Sequence, residues 1–297
     1  MHLLLGDSQD ICCLRVSAAL AARGSRARIL SNPLSHPERF SWRLDNWHSS
    51  THLHWDGGQS IDDREIAGVL VRNPGFIESD GWRSHDLAYV HAETQAALLG
   101  WLWSLACPVI NRYPASIWYR PQATILFWQP WLQLSGIPVI EMLISNVDQE
   151  SRAFGQRLGA VYAPLTSDAR YLIGTEDEWA GLAAMQQRCS PVCLTHPHGV
   201  PHLACVVGEQ VVWEGTPPDE AAILASALRR FAAAAGLAFV EVLLANTAGG
   251  IRAVAVEPFP FFEHFGDSAQ QEIVAGLVQL LTTESTALSC PSLESHL

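Results

Sequence analysis

Cysteine and histidine side chains, which bind transition metals, are concentrated in the stretch RCSPVCLTHPHGVPHLAC. The cluster consists of Cys189, Cys193, His196, His198, His202 and Cys205. Its spacing matches no standard zinc pattern, and strand alternation places Cys193 and His196 on opposite faces. The pattern favours core thiols with histidines at the rim of a cleft. A zinc or copper site and a catalytic thiol are the two alternatives.

Three arginines, Arg72, Arg112 and Arg120, lie near the ends of predicted strands in the first half of the chain. A guanidinium group can hold a carboxylate or a phosphate through two parallel hydrogen bonds. These arginines are therefore candidates for contacts with an anionic or peptidic substrate. Packing and ion pairs within the protein are the alternative role for the same side chains.

The elements that must position these side chains alternate between helix and strand. The run IAGVLVRNPGF predicts a buried strand that is stopped by Asn73-Pro74-Gly75. The segment AYVHAETQAALLGWLWSLA has helical spacing and precedes a strand, PVINRY. Further on, AFVEVLLANTAGGIRAVAVEPFP predicts a hairpin that turns around NTAGG. This alternation indicates an α/β or α+β fold.

Charge and hydropathy exclude several classes of protein. The chain has 297 residues, a net charge of −12 and a pI near 5.4. This balance argues against binding to nucleic acid or to anionic membranes through basic surfaces. The sequence shows neither a membrane-spanning run nor a signal peptide, so we expect a cytoplasmic protein. Its seven cysteines are expected to be free thiols.

Seven segments, taken in order, resemble one protein family. They are VRNPGF, AYVHAETQAALLGWLWSLACPVINR, SGIPVIEMLISN, VYAPLTS, PVCLTHPHG, HLACVVGEQVVW and VAVEPFPFFEHFG. Their order and spacing over residues 68–280 are similar to those of ATP-grasp proteins, most of all the small members that act on ribosomal peptides or glutathione-like substrates. The helix followed by a strand ending in CPVINR is the most specific segment.

The resemblance implies an ATP-grasp-like fold and its chemistry. We expect an N-terminal α/β domain over residues 1–115, followed over residues 116–297 by two α+β lobes that enclose a cleft. In such enzymes the lobes clamp ATP and Mg²⁺, and a substrate carboxylate is activated as an acyl phosphate. An amine, hydroxyl or thiol then attacks it. A lysine and an arginine neutralise phosphate charge, while carboxylates and an asparagine hold Mg²⁺.

This sequence departs from the family at the positions that carry that charge. The family's lysine, just before Pro-Leu, falls on Ala163, and its strand arginine falls near Leu203. The metal-binding aspartate falls near Leu243, and the Glu-x-Asn motif falls on Ala255 and Glu257. Aliphatic side chains at four such positions predict that the site no longer holds MgATP as its relatives do.

Two glutamates offer a rearranged metal pair. Glu241 lies two residues before Leu243 and Glu257 lies two residues after Ala255, so each shares a strand face with a lost ligand position. Glu241 and Glu257, with the three arginines, are the candidate cleft or substrate contacts.

These observations give three hypotheses for function. The first is a degenerate ATP-grasp protein that acts as a non-catalytic binding or scaffolding subunit in peptide or small-molecule biosynthesis. Its partners would be a peptide or small-molecule ligand and either an active paralogous ligase or a second copy of the chain. The second is a divergent ATP-dependent ligase joining a carboxylate to an amine or thiol, with ATP and Mg²⁺. The third is a Cys/His protein that binds zinc or copper.

Overall fold

The computed structural model describes residues 1–31, 40–46, 48–55, 58–72, 83–118, 124–165, 169–197 and 199–283. Two residues singled out from the sequence, Arg120 and His198, lie outside the described residues. Within these ranges, no helix combines the length and the apolar character needed to cross a membrane.

The described ranges contain fifteen strands and eight α-helices. The strands are β1 (His2–Leu5), β2 (Ala27–Leu30), β3 (Phe40–Leu44), β4 (Ser49–Trp55), β5 (Gln59–Asp62), β6 (Gly68–Val71), β7 (Val109–Ile110), β8 (Met142–Ser145), β9 (Ala160–Tyr162), β10 (Tyr171–Ile173), β11 (Val192–Thr195), β12 (Pro201–Val207), β13 (Gln210–Trp213), β14 (Phe239–Thr247) and β15 (Gly250–Glu257). The helices are α1 (Ile11–Ala22), α2 (Ser84–Ser104), α3 (Ala115–Trp118), α4 (Ile125–Leu134), α5 (Asp148–Leu158), α6 (Glu176–Gln187), α7 (Ala221–Ala234) and α8 (Asp267–Thr282).

The N-terminal sheet is parallel and has the order β2-β1-β6-β7. All four residues of β1 are buried, as expected for a central strand covered on both faces. Helix α1 connects β1 to β2 and begins at Asp10, whose carboxylate accepts the backbone N–H of Cys13 at 2.8 Å. The strands β3, β4 and β5 form a separate antiparallel sheet.

The first of two lobes is built on the sheet β10-β9-β11-β8, against which α5 and α6 pack. We call it the β8–β11 lobe. Strand β9 pairs antiparallel with β10, and Tyr162 lies opposite Tyr171. Helix α6 begins at a capping box, because Thr175 and Glu178 each accept the other's backbone N–H.

The second lobe is built on the antiparallel sheet β13-β12-β14-β15, and α4 and α7 pack against it. We call it the β12–β15 lobe. Strands β14 and β15 form the predicted hairpin, which turns between Thr247 and Gly250. Gly250 has φ +93°, a left-handed conformation that glycine adopts without a steric penalty.

The last helix, α8, returns to the N-terminal sheet. It packs on α1 and also contacts β6 and β7. The His2 Nε2 atom lies 3.3 Å from the backbone oxygen of Leu281, and Arg15 forms a 3.0 Å ion pair with Asp267. One buried cluster joins Leu4 and Cys12 to residues of β12, β14 and α8. The beginning and the end of the described chain therefore share a core.

Candidate functional site

A cavity of about 50 Å³ lies between the two lobes. The β8–β11 lobe supplies Ala163 and the β12–β15 lobe supplies Ala255, so two of the positions predicted from the sequence to have lost a charged residue are apolar wall residues. The first residues of α4 close a third side. Pockets that bury drug-sized ligands occupy about 300–1,000 Å³. The space left among the described residues is thus much smaller than such a pocket.

Three of the positions predicted to be degenerate lie side by side in the sheet of the β12–β15 lobe. In the register of the sheet, Leu203 lies opposite Leu243, and Leu243 lies opposite Ala255. All three side chains are partly exposed, unlike the fully buried Val242 and Leu244 that flank Leu243 on the other face. The structure therefore brings three of the positions predicted to be degenerate into one aliphatic row.

Glu241 and Glu257 are direct cross-strand partners in the next row of the same face. Glu241 is buried, and its Oε2 atom accepts the backbone N–H of Phe261 at 2.8 Å. Its Oε1 atom lies 3.0 Å from His264 Nδ1. Burial raises the pKa of Glu241, while the contacts with His264 and Phe261 oppose that rise. The carboxylate is thus already engaged by protein groups.

Residues 258–261 form a corner that follows β15, and the protein's own contacts hold it. The Oε1 atom of Glu257 accepts the backbone N–H of Phe259 at 2.8 Å. The Tyr113 hydroxyl donates to the carbonyl of Pro258 at 2.7 Å, and Arg72 donates to the carbonyl of Pro260 at 2.6 Å. The corner is therefore held by contacts with Glu257, Tyr113 and Arg72.

Arg72 lies at the end of β6 and is buried under this corner. Besides Pro260, its guanidinium donates to Asp10 at 3.3 Å and lies 5.6 Å from the ring centre of Phe239. These contacts join the N-terminal sheet to the β12–β15 lobe. Arg72 is not among the residues that line the cavity.

Arg112 is placed at the end of helix α2. It donates to the carbonyls of Leu102, Leu105 and Cys107, the last at 3.0 Å. Carbonyls at the end of a helix lack intrahelical partners, so Arg112 serves as their cap. The structure does not bring Arg72 and Arg112 together with the cavity, and a substrate contact by either remains a prediction.

The cysteines and histidines of the metal candidate are spread over several surfaces. Cys193 lines the cavity, whereas His196 points to the other side of β11, where its ring stacks on Phe154 at 4.1 Å. Cys189 is exposed in the turn after α6, and His202 on β12 lies 3.3 Å from the side chain of Asn246. Across the described ranges, no three His, Cys, Asp or Glu side chains form a group that could hold a metal ion.

Buried thiols are expected to resist alkylation in the native protein. Burial raises the pKa of Cys12 to about 12 and also raises those of Cys193 and Cys205. At pH 8 the thiolate fraction of Cys12 is then about a thousandfold lower than for a thiol with a pKa of about 9. We expect iodoacetamide, read out by peptide mass spectrometry, to label exposed Cys189 first and the buried thiols only in denaturant. Labelling of Cys193 as fast as Cys189 would instead support a catalytic thiol in the cavity.

Sequence reasoning overlooked Arg170, which lines the cavity just before β10. Because β10 pairs with β9, the residue that enters β10 must lie near Ala163, which leaves β9.

Comparison with solved structures identifies the fold. A RiPP-associated ATP-grasp ligase from Chryseobacterium gregarium, in complex with ADP and a leader and core peptide, superposes with a TM-score of 0.74 at 12% identity, covering 96% of this chain and 97% of that chain. The macrocyclase MdnC from Microcystis aeruginosa, bound with precursor peptide MdnA, superposes with a TM-score of 0.71 at 17% identity, covering 94% of this chain and 98% of that chain.

A third neighbour is the ATP-grasp ligase PsnB, complexed with a variant of its minimal precursor, Mg and ADP. It gives a TM-score of 0.70 at 20% identity, covering 94% of this chain and 98% of that chain. No family model matches the sequence, and no curated protein matches it. The likeness is therefore one of fold, and it confirms the ATP-grasp fold predicted from the seven segments.

Proposed function

We propose that this chain, an ATP-grasp fold, is a non-catalytic binding subunit of a cytoplasmic peptide-modifying system. Its ligand is a peptide, and its partner is an active ATP-grasp ligase or a second copy of the chain. The observation that carries the proposal is the aliphatic row Leu203, Leu243 and Ala255, with Ala163 across the cavity.

The charge balance of the cavity supports this loss of nucleotide binding. A triphosphate carries roughly four negative charges near neutral pH, and each charge-assisted contact to it contributes about 2–4 kcal/mol. Ala163 and Leu203 offer no cation, and Arg170 supplies one positive charge among the described residues of the cavity wall. Leu243 and Ala255 offer no ligand for Mg²⁺. The residues at these positions do not fit MgATP.

A peptide ligand is supported by the solved structures of the same fold. MdnC is bound with precursor peptide MdnA, and the Chryseobacterium ligase holds a leader and a core peptide. Peptide binding and phosphoryl transfer are separate tasks of an enzyme. A chain that loses the charged residues for phosphate can therefore retain a surface for the peptide.

One observation favours a second candidate, a divergent ATP-dependent carboxylate–amine ligase. Glu241 and Glu257 are cross-strand partners, which puts two carboxylates next to each other on the face of the lost metal ligands. This candidate requires Glu241 to release Phe261 and His264 before it binds Mg²⁺.

Titration calorimetry with Mg²⁺ and the non-hydrolysable analogue AMPPNP separates the two candidates. We expect no saturable binding below about 1 mM, which corresponds to a binding free energy weaker than about −4 kcal/mol. The matched control is the variant Glu257→Gln, because a ligase that uses Glu257 for Mg²⁺ would lose affinity in it. Micromolar binding by the wild-type chain that disappears in Glu257→Gln would overturn the proposal.

A further inference from the structure

Two crossings of the chain attach the β8–β11 lobe to the β12–β15 lobe, and together they form its hinge. At the first crossing, the backbone N–H of Ile140 donates to the carbonyl of Ala253 in β15 at 2.9 Å, and β8 begins at Met142. Glu141 is therefore the residue at which the chain passes from one lobe to the other. The angle between two lobes changes through bending at such connecting residues.

The second crossing begins directly after β11. The last residue of that strand is Thr195, and the backbone N–H of Gly199 already donates to the carbonyl of Asn246 in β14 at 2.8 Å. His196 is therefore the first residue of the passage back to the β12–β15 lobe.

The side chains of the two crossings face each other. Met142 lies opposite Thr195 in the sheet, which places Glu141 beside His196 at the same end of the lobe. The Oε2 atom of Glu141 lies 3.6 Å from the Nε2 atom of His196. This distance is too long for a hydrogen bond, yet it is short enough for two opposite charges to attract each other.

The surroundings of the His196 ring determine which nitrogen can gain a proton. The side chain is only 7% exposed, and the ring stacks on Phe154 with 4.1 Å between ring centres. The Nδ1 atom lies 2.9 Å from the carbonyl oxygen of Gly159, and because a carbonyl only accepts, Nδ1 carries a hydrogen. The Nε2 atom is buried and has no hydrogen-bond partner among the described residues. In the neutral ring, Nε2 therefore presents a lone pair to the Glu141 carboxylate.

Arg157 of α5 is the second partner of Glu141. Its guanidinium donates to the Oε1 atom of Glu141 at 2.7 Å and lies 4.9 Å from the ring centre of Phe154. The other carboxylate oxygen, Oε2, is the one that faces His196. Arg157 thus holds Glu141 in place without occupying the oxygen that a protonated His196 would use.

The other charged groups near the hinge are engaged elsewhere. Arg152 of α5 pairs with carboxylates of α5 and α6, and Arg252 of β15 donates to a backbone carbonyl of the first crossing. Among the described residues, Glu141 is the one carboxylate that pairs with His196. In the same part of the chain, neither residue belongs to a group of three side chains that could hold a metal ion.

We propose that His196 and Glu141 form a proton-operated latch between the two crossings of the hinge. One proton taken from solvent converts the Nε2 lone pair into an N–H group, which donates to the Oε2 atom of Glu141. The resulting ion pair ties the first crossing to the second, so the lobes turn less freely when the latch is closed.

The latch closes as the pH falls. Imidazole groups titrate between about pH 5 and pH 8, and the unfolded chain lacks the contact with Glu141. The ion pair therefore adds to the stability of the folded protein on the acid side of that range, and its contribution is lost as the pH rises. The latch goes beyond the proposed function, because it acts on the hinge of the fold whether the chain binds a peptide or a nucleotide.

A double-mutant cycle measured at about pH 8 and about pH 6 tests the latch. Glu141→Gln removes the charge and keeps an acceptor for Arg157, while His196→Asn keeps an amide that can donate to the carbonyl of Gly159. Urea unfolding of the full chain, with EDTA present so that no metal replaces the proton, gives the coupling between the two positions. We expect this coupling to raise the folding equilibrium constant at least fivefold at pH 6 and to be absent at pH 8. A coupling that is equal at both pH values, or stronger at pH 8, overturns the proposal.

Hydrogen exchange shows whether the pair acts on the hinge. The reporters are the amides of Ile140 and Gly199, one on each crossing, since both donate to the β12–β15 lobe. After correction for the intrinsic pH dependence of exchange, we expect their protection to rise at least threefold from pH 8 to pH 6 in the wild type and in neither single variant. The matched control is His202→Gln, because His202 contacts an asparagine instead of Glu141, and it should behave as the wild type does. An equal change of protection in the wild type and in His196→Asn would contradict the latch.

Discussion

Replacing Arg72 with Met is expected to lower the free energy of unfolding by about 3–5 kcal/mol. The substitution leaves the carboxylate of Asp10 without its cation in a largely buried position, where its side chain is only 16% exposed. It also removes the hydrogen bond to the Pro260 carbonyl and the contact with the Phe239 ring. Denaturation in urea, followed by circular dichroism, measures the loss.

Two controls show whether the buried charge is the cause. Arg15→Met breaks an exposed Arg–Asp pair of similar length and should cost about 1 kcal/mol or less. Combining Arg72→Met with Asp10→Asn removes both charges, and Asn still caps α1, so the double variant should recover part of the stability. If Arg72→Met lowers the free energy of unfolding no more than Arg15→Met does, the proposed structural role of Arg72 is wrong. A role of Arg72 as a substrate contact would then gain support.

Replacing Asn111 with Ala is expected to lower the free energy of unfolding by about 2–6 kcal/mol. The reason is that each buried polar group left without a hydrogen-bond partner costs about 1–3 kcal/mol. The Oδ1 atom of Asn111 accepts the backbone N–H groups of Ala238 and Phe239 at 2.7 and 2.9 Å. Its Nδ2 atom donates to the Phe239 carbonyl at 2.6 Å and to the Tyr113 hydroxyl at 3.0 Å. Thermal and urea unfolding of the variant both report the loss.

The matched control is Asn246→Ala, since Asn246 is exposed and its side chain contacts only His202 among the described hydrogen bonds. This variant should stay within about 0.5 kcal/mol of the wild type. The variant Asn111→Asp keeps the acceptor and loses the donor. It should regain stability as the pH falls, because protonation restores a donor toward the Phe239 carbonyl. An Asn111→Ala protein as stable as Asn246→Ala would contradict the assigned role.

Local patterns in the sequence predicted much of the fold. The alternating apolar residues of β14 and β15 and the glycine-rich turn between them were enough to identify the hairpin. Segment order was enough to identify the ATP-grasp fold, which the solved structures confirm at 12–20% identity. Strand alternation also placed Glu241 and Glu257 on the same face as Leu243 and Ala255, two of the positions predicted to be degenerate.

The partners of the candidate site residues could not be predicted in this way. Arg72 and the Pro260 carbonyl that it holds are 188 residues apart, and Asn111 binds backbone groups 127 and 128 residues away. Such contacts depend on how the lobes dock, which no local spacing records. A buried arginine that binds its own protein and an arginine that binds a substrate look the same in the sequence, because the chemistry of the guanidinium is identical.

The return of α8 to the N-terminal sheet has a consequence for how the chain folds during synthesis. The first 115 residues leave the ribosome with Leu4, Cys12 and Val16 still uncovered, because the side chains that bury them come from β12, β14 and α8. The N-terminal segment therefore cannot complete its core until almost the whole chain has emerged. Until then its apolar surface is exposed to chaperones and to other nascent chains.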